Sequence, residues 1–148
     1  MTYQFIPMKK IILITLVFAS VSCSSKKNSV QTGVVVPEPL IITEISTDSA
    51  YGLTPVKPVE VGGAFANGPY NERRYLDALA GPHGEKLKYY RAGSCCPVKS
   101  ENGMMGMAVL DNYRVSYAGT KDTVSIYINM YDKGTLKAPV GFTIRKID

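Results

Sequence analysis

Asn112-Tyr113-Arg114-Val115-Ser116-Tyr117, then Ala118-Gly119-Thr120-Lys121-Asp122, then Val124-Ser125-Ile126-Tyr127-Ile128-Asn129-Met130-Tyr131 is the stretch on which the fold turns. Tyr113, Val115 and Tyr117 alternate with Asn112, Arg114 and Ser116. Val124, Ile126, Ile128 and Met130 alternate in the same way with Ser125, Tyr127, Asn129 and Tyr131. A period of two places each apolar set on one face of a strand. The short glycine-containing link between the runs fits an antiparallel hairpin. Upstream, Lys86 to Arg91 sets Leu87 and Tyr89 against Lys88 and Tyr90 and predicts a third strand. Val56 to Val61 and Phe142 to Ile147 are candidate edge strands, the first limited by Pro58.

The period changes to helical after Pro69. Asn71 is the candidate N-cap, Glu72 falls in the first turn, and Tyr75, Leu76 and Leu79 share a face. Gly81-Pro82 is the stop signal, which predicts a helix over Asn71 to Ala80. Ten residues are marginal alone, so this helix must lean its apolar stripe on another element. The expected fold class is α+β, with one short helix packed on an antiparallel sheet of about four strands.

The chain has 148 residues, 45% of them hydrophobic, with 10 Tyr, no Trp, 3 Cys and one His. That bounds it to one modest domain and excludes a large multi-lobed enzyme. Met8-Lys9-Lys10, the apolar run Ile11 to Ala19, and Ser20-Val21-Ser22-Cys23 read as a secretory signal: a basic region, a short apolar region, small residues before a cut. The seven residues before Met8 read as an upstream start. The run is too short to span about 30 Å of hydrocarbon comfortably. Cys23 directly after the cut resembles a bacterial lipobox, in which the thiol is diacylated, although Ser20 stands where Leu is usual. The expected organisation is a signal peptide over 1–22, a lipidated tether over 23–53, and a single α+β domain over 54–148. Leu40-Ile41-Ile42 and Ile45 could form a short strand within the tether. Acyl chains contribute about 0.8 kcal/mol per buried methylene, so the expected location is the bacterial envelope, anchored to the outer membrane and facing periplasm or cell surface. With Lys9 and Lys10 removed, the net charge falls from +5 to +3. No basic block exceeds two residues, so nucleic acid is not an expected partner. The expected partners are the membrane, through the lipid, and an envelope protein.

Cys95 and Cys96 are adjacent in Gly93-Ser94-Cys95-Cys96-Pro97. Neighbouring Cα atoms lie about 3.8 Å apart, below the usual span of a disulfide. Four readings stay open: a vicinal disulfide, two separate buried thiols, an intermolecular disulfide or redox exchange, and metal binding. A metal set would draw on Cys95, Cys96, Met104, Met105 and Met107, soft ligands suited to Cu(I). No metal-binding spacing supports it, and no cofactor is expected. His83, between Pro82 and Gly84, reads as an exposed turn residue. The chain lacks the G-x-S-x-G of serine hydrolases and any phosphate-loop context for its glycines. Asp111, Asp132 and Glu101 read as carboxylates scattered near turns, with Asp132-Lys133-Gly134 as a type I turn. No catalytic residue is nominated. Tyr90, Tyr127 and Tyr131 fall on polar strand faces, where aromatic bodies suit a binding surface.

Asn71-Glu72-Arg73-Arg74-Tyr75-Leu76, Arg91-Ala92-Gly93-Ser94-Cys95-Cys96-Pro97, Leu110-Asp111-Asn112-Tyr113, Tyr127 to Asp132 and Pro139-Val140-Gly141-Phe142 together resemble a group of small bacterial lipoproteins of unknown function. The resemblance covers about Tyr51 to Phe142. Some members carry the label 2-dehydro-3-deoxyphosphooctonate aldolase. That synthase is a TIM barrel, which takes about 250 residues and eight strand-helix units, so the label is not carried over as an activity. The chain departs from the group at His83, where Asn is expected, and at Met104 to Met107. The resemblance supplies no catalytic residue. It leaves a non-enzymatic, lipid-anchored binding or envelope-assembly module as the leading expectation. A thiol-redox or copper-handling lipoprotein using Cys95 and Cys96, and an enzyme acting on envelope sugars, are the rivals.

Overall fold

Ile126 and Ile128, on the face marked out by alternation, are fully buried at the centre of the sheet. The computed structural model describes residues 40–146. The expected signal peptide, the expected lipidation at Cys23 and the first part of the expected tether lie outside them. Strand β1 (Val59–Glu60) is followed by helix α1 (Ala64–Asp77), β2 (Leu79–Ala80), β3 (Lys88–Met104), β4 (Met107–Ser116), β5 (Val124–Asn129) and β6 (Thr143–Ile144). The order in the main sheet is β1-β5-β4-β3, and β2 with β6 makes a separate two-stranded ribbon. The class is α+β as expected.

The sheet corrects the expectation of purely antiparallel pairing. β4 and β5 form the predicted hairpin, with Tyr113 opposite Ile126 and Val115 opposite Val124. β1 instead pairs with β5 in parallel, Val59 opposite Ile128. The expected edge strand at Phe142 to Ile147 lies off this sheet, with Thr143 opposite Ala80. The third strand begins where predicted but runs on through Met104, past Gly93, Pro97 and Gly103. It tolerates these residues because its register shifts between Arg91 and Gly93, between Cys95 and Pro97, and between Lys99 and Met104. Glycine and proline are accommodated at bulges and on edge strands, and β3 is an edge strand with β4 as its one partner.

The helix also differs from its prediction. It starts at Ala64, seven residues early, and ends at Asp77, because Leu79–Ala80 is already extended against β6. Pro69 lies inside it, where it removes one backbone donor. The preceding turn is tied down elsewhere: Ala64 N–H donates to the Met130 carbonyl at 2.7 Å and Asn67 N–H to that of Gly63 at 3.0 Å. Asn71 is not the N-cap; its amide donates backward to the Gly62 carbonyl at 3.0 Å. Gly68 lets the helix approach the chain after β5, since a Cβ there would fall 2.6 Å from the Met130 sulfur.

The core gathers Tyr75, Leu76 and Leu79 with Val59, Tyr113, Val115, Ile126, Ile128 and Phe142. Each fully buried side chain of this size contributes about 1.5–3 kcal/mol. Ile42 is buried in the same cluster. Residues 40–53, expected within the tether, therefore pack onto the domain: Ser46 N–H donates to the Ala138 carbonyl at 2.8 Å, and Ala138 N–H to that of Glu44 at 2.9 Å. The expected short strand there is an isolated parallel bridge between Ile45 and Ala138. Among the described residues no helix is long and apolar enough to cross a membrane.

Candidate functional site

The middle of β3 carries the densest chemistry among the described residues. The bulge after Arg91 sets that residue opposite Tyr113 and Ser94 opposite Asp111. The Arg91 guanidinium donates two hydrogen bonds to Asp111, Nε to Oδ2 at 2.5 Å and Nη2 to Oδ1 at 2.7 Å. Nη2 also donates to Ser94 Oγ at 2.5 Å, and Ser94 Oγ donates to Asp111 Oδ1 at 3.0 Å. This planar two-point pairing is the geometry for which arginine is suited. Asp111, expected near a turn, is a buried residue in the middle of β4.

Beneath this pair lies Glu72 of α1, expected in the first turn of the helix and fully buried. The Tyr113 hydroxyl donates to Glu72 Oε2 at 2.9 Å. Burial pushes the Glu72 carboxyl up to about 7, the Asp111 charge adding to the effect and the Tyr113 hydrogen bond opposing it. Glu72 Oε1 is buried without a partner when counted as an acceptor. Burial of a carboxylate oxygen without a donor disfavours the charged form, so the neutral carboxylic acid form of Glu72 is the one this environment suits. Arg91 with Asp111 ties β3 to β4, and Tyr113 with Glu72 ties β4 to α1. Burial and Glu72 both push the Tyr113 phenol above its ordinary range. Tyr89, opposite Val115, donates to Asp77 Oδ1 at 2.8 Å and ties the same face to the end of the helix.

Cys95 and Cys96 form a vicinal disulfide with Cα atoms 3.7 Å apart. Cys95 stands opposite Leu110, one position beyond the Ser94–Asp111 rung, so its side chain leaves the opposite face of the strand. Cys96 is the extra residue of the second bulge and has a positive φ of 53°. Neither cysteine is buried. Met107 pairs with Lys99, four residues beyond Cys95, about 13 Å along the strand. The register thus does not bring Met104, Met105 and Met107 to the sulfurs. Among the described residues no group of three or more His, Cys, Asp or Glu side chains could hold a metal ion.

The three methionines crown the β3–β4 hairpin instead. Met105 and Gly106 form its turn with φ of 56° and 78°, the paired positive values of a two-residue hairpin loop. Asn or Gly usually fills the first of these positions; here an apolar side chain does, and Met105 is 95% exposed. Met104 is exposed, as are Val109 on β4 and Phe65 on α1. Phe65 packs edge-on against Tyr131. Of the tyrosines expected on a polar face, Tyr90 is exposed while Tyr127 and Tyr131 are half-buried. His83 is exposed in its turn, as expected.

Asp132, read as a turn carboxylate, is the acceptor at the base of this hairpin. It receives hydrogen bonds from Ser100 Oγ at 2.7 Å, Asn102 Nδ2 at 2.8 Å and Asn129 Nδ2 at 2.7 Å. These three donors hold the Asp132 carboxyl below its ordinary value against the cost of burial. The far half of β3 is thereby latched to the end of β5.

Glu72, Arg91, Ser100 and Asn129 were not singled out as site residues. Glu72 had a usable signal: Glu72, Tyr75, Leu76 and Leu79 fall at i, i+3, i+4 and i+7, which places the carboxyl on the apolar stripe. Ser100 and Asn129 meet through tertiary pairing alone. No protein-family model, curated protein or solved structure matches the chain.

Proposed function

We propose that this protein is a lipid-anchored, non-enzymatic binding or assembly module of a bacterial cell envelope, and that its β3–β4 hairpin tip is the part that engages a partner. The observation that carries this reading is the division of labour between its side chains. The interior ionisable groups are committed to one another: Arg91 with Asp111, Glu72 with Tyr113, Asp132 with three neutral donors. What faces solvent at the hairpin is apolar, with Met104 and Met105 standing free in a turn that pays for a non-glycine positive φ. Thioethers adapt to irregular apolar pockets, and an exposed apolar group held in an unfavourable backbone conformation supports a binding role.

The occupant we assign is an envelope protein with an apolar pocket. A lipid surface would favour a basic, tryptophan-bearing tip. Here Lys99 and Glu101 offset each other beside the methionines, and the chain has no Trp. The N-terminal lipid on Cys23 keeps the module beside the membrane.

A photo-crosslinking residue placed at Met105 of the full lipidated chain, in intact cells, tests the reading. The expected result is a discrete protein adduct that Met104→Asp abolishes and that a crosslinker at exposed His83 does not give. Adducts with lipid alone, or equal adducts from both positions, would overturn it.

A further inference from the structure

The vicinal disulfide serves neither of the purposes above. A disulfide stabilises a fold mainly by closing a long loop in the unfolded chain, and the gain shrinks with the length of chain enclosed. Cys95 and Cys96 enclose no loop, so their bond staples nothing to anything. It does not bridge β3 to β4, and the Arg91–Asp111 and Ser100–Asp132 contacts on either side already hold the strand in place.

Its position is nonetheless specific. The pair sits on the edge strand, where one side of the backbone has no neighbouring strand among the described residues. Neither residue is buried, so a thiolate can approach. Cys96 holds a left-handed φ of 53°, a conformation that a non-glycine residue adopts at a cost and that the small ring through the sulfurs helps to enforce. Once the ring is opened, the Cys96 side chain has no other bond among the described residues to hold it there. If it relaxes to the extended region, the bulge is lost, and the strand beyond it must shift by a residue or loosen. A one-residue shift turns each side chain to the other face. Ser100, buried and bonded to Asp132, would turn outward and Lys99 inward. The Asp132 latch resists that change, so loosening of residues 97–107 is the outcome.

We infer that Cys95–Cys96 is a redox-active exchange site, opened in the native fold by a dithiol protein, and that its opening loosens the far half of the β3–β4 hairpin. The chemistry balances as follows. A donor thiolate attacks one sulfur, forms a mixed disulfide and breaks the Cys95–Cys96 bond, releasing the other cysteine as a thiolate that takes up a proton. The donor's second thiol, deprotonated, attacks the mixed disulfide and releases the remaining cysteine, which is protonated in turn. The protein gains two electrons and two protons, and the donor dithiol becomes a disulfide. Reoxidation by a disulfide-bearing protein reverses each step. This inference stands apart from the identity of the tip's partner, since it concerns the sulfurs and the strand that carries them.

The test uses the full lipidated chain purified from envelope in detergent, with free thiols blocked at lysis. Treatment with millimolar dithiothreitol at neutral pH, without denaturant, is followed by alkylation, intact mass and amide hydrogen exchange. The expected result is two new alkyl groups, on Cys95 and Cys96, with circular dichroism unchanged and exchange over 97–107 faster by about tenfold or more. A Cys95→Ala/Cys96→Ala variant should show the faster exchange without reductant. A pair that resists dithiothreitol until the protein is denatured, a pair already blocked at lysis, or a reduced protein whose exchange is unaltered would each overturn the inference.

Discussion

Raising the pH from 5 to 8 should weaken this fold, the reverse of what a carboxylate held below its ordinary value does. Glu72 is fully buried, and its folded-state value is raised from 4.5 to about 7. Between those values the folded chain holds a proton that the unfolded chain has released. Stability to unfolding therefore falls as pH rises, and levels off once both states are ionised. At 1.36 kcal/mol per unit of difference, the span amounts to roughly 3 kcal/mol, a large part of the stability of a small domain. Glu44, Asp48 and Asp132 act in the opposite sense, since each is held below its ordinary value. Their contributions are lost as pH falls through the ordinary carboxylate range and below, so the window from pH 5 to 8 reports chiefly on Glu72. Urea unfolding followed by circular dichroism across that window measures the slope. Glu72→Gln keeps the shape, carries no charge and still accepts from Tyr113. It should flatten the profile and be the more stable protein at pH 8. A wild-type stability that is level or rising from pH 5 to 8, or an unchanged slope in Glu72→Gln, would refute the reading of Glu72 as a buried carboxylic acid.

Other substitutions probe the remaining contacts. Arg91→Met leaves buried Asp111 without its half-exposed cation and should cost about 1–3 kcal/mol in urea unfolding, with much of the loss recovered by Arg91→Met/Asp111→Leu. Ile128→Ala removes a fully buried side chain and should cost about 2–5 kcal/mol, whereas Val124→Ala at the strand's exposed start should cost less than about 1. Cys95→Ala/Cys96→Ala should change the unfolding free energy by less than about 1 kcal/mol, because the bond closes no loop; a loss of about 3 would show that it acts as a staple. Asn129→Ala removes one donor from Asp132 and should cost about 1–3 kcal/mol, with faster amide exchange in the far half of β3.

What the sequence disclosed, and what it withheld, follows from the range of the interactions involved. The β4–β5 hairpin was legible because its period-two pattern and its turn are local, and the buried sides of Tyr113, Val115, Ile126 and Ile128 came with them. The helix was legible as an element but not in its bounds, since its first turn rests on Met130, sixty-odd residues away in the chain. The parallel partnership of Val59 with Ile128 left no local trace. The predicted third strand stopped at Arg91, and it is the bulges absorbing Gly93 and Pro97 that keep the strand running to Met104. Of the candidate site, the adjacency of Cys95 and Cys96 was plain, and so was the run of methionines. The polar contacts of Arg91 and Glu72 were hidden because their members lie about twenty residues or more apart on three elements and meet only after folding.

The central claim is that this domain works while tethered by an acylated Cys23, with its remaining cysteines paired. Intact mass of the protein purified from envelope membranes, alkylated without prior reduction, reads both halves at once. The account predicts a chain that begins at Cys23, carries the mass of its acyl groups and takes up no alkylating agent at Cys95 or Cys96. A soluble chain that retains its first twenty-two residues, or one alkylated at both cysteines, would contradict it.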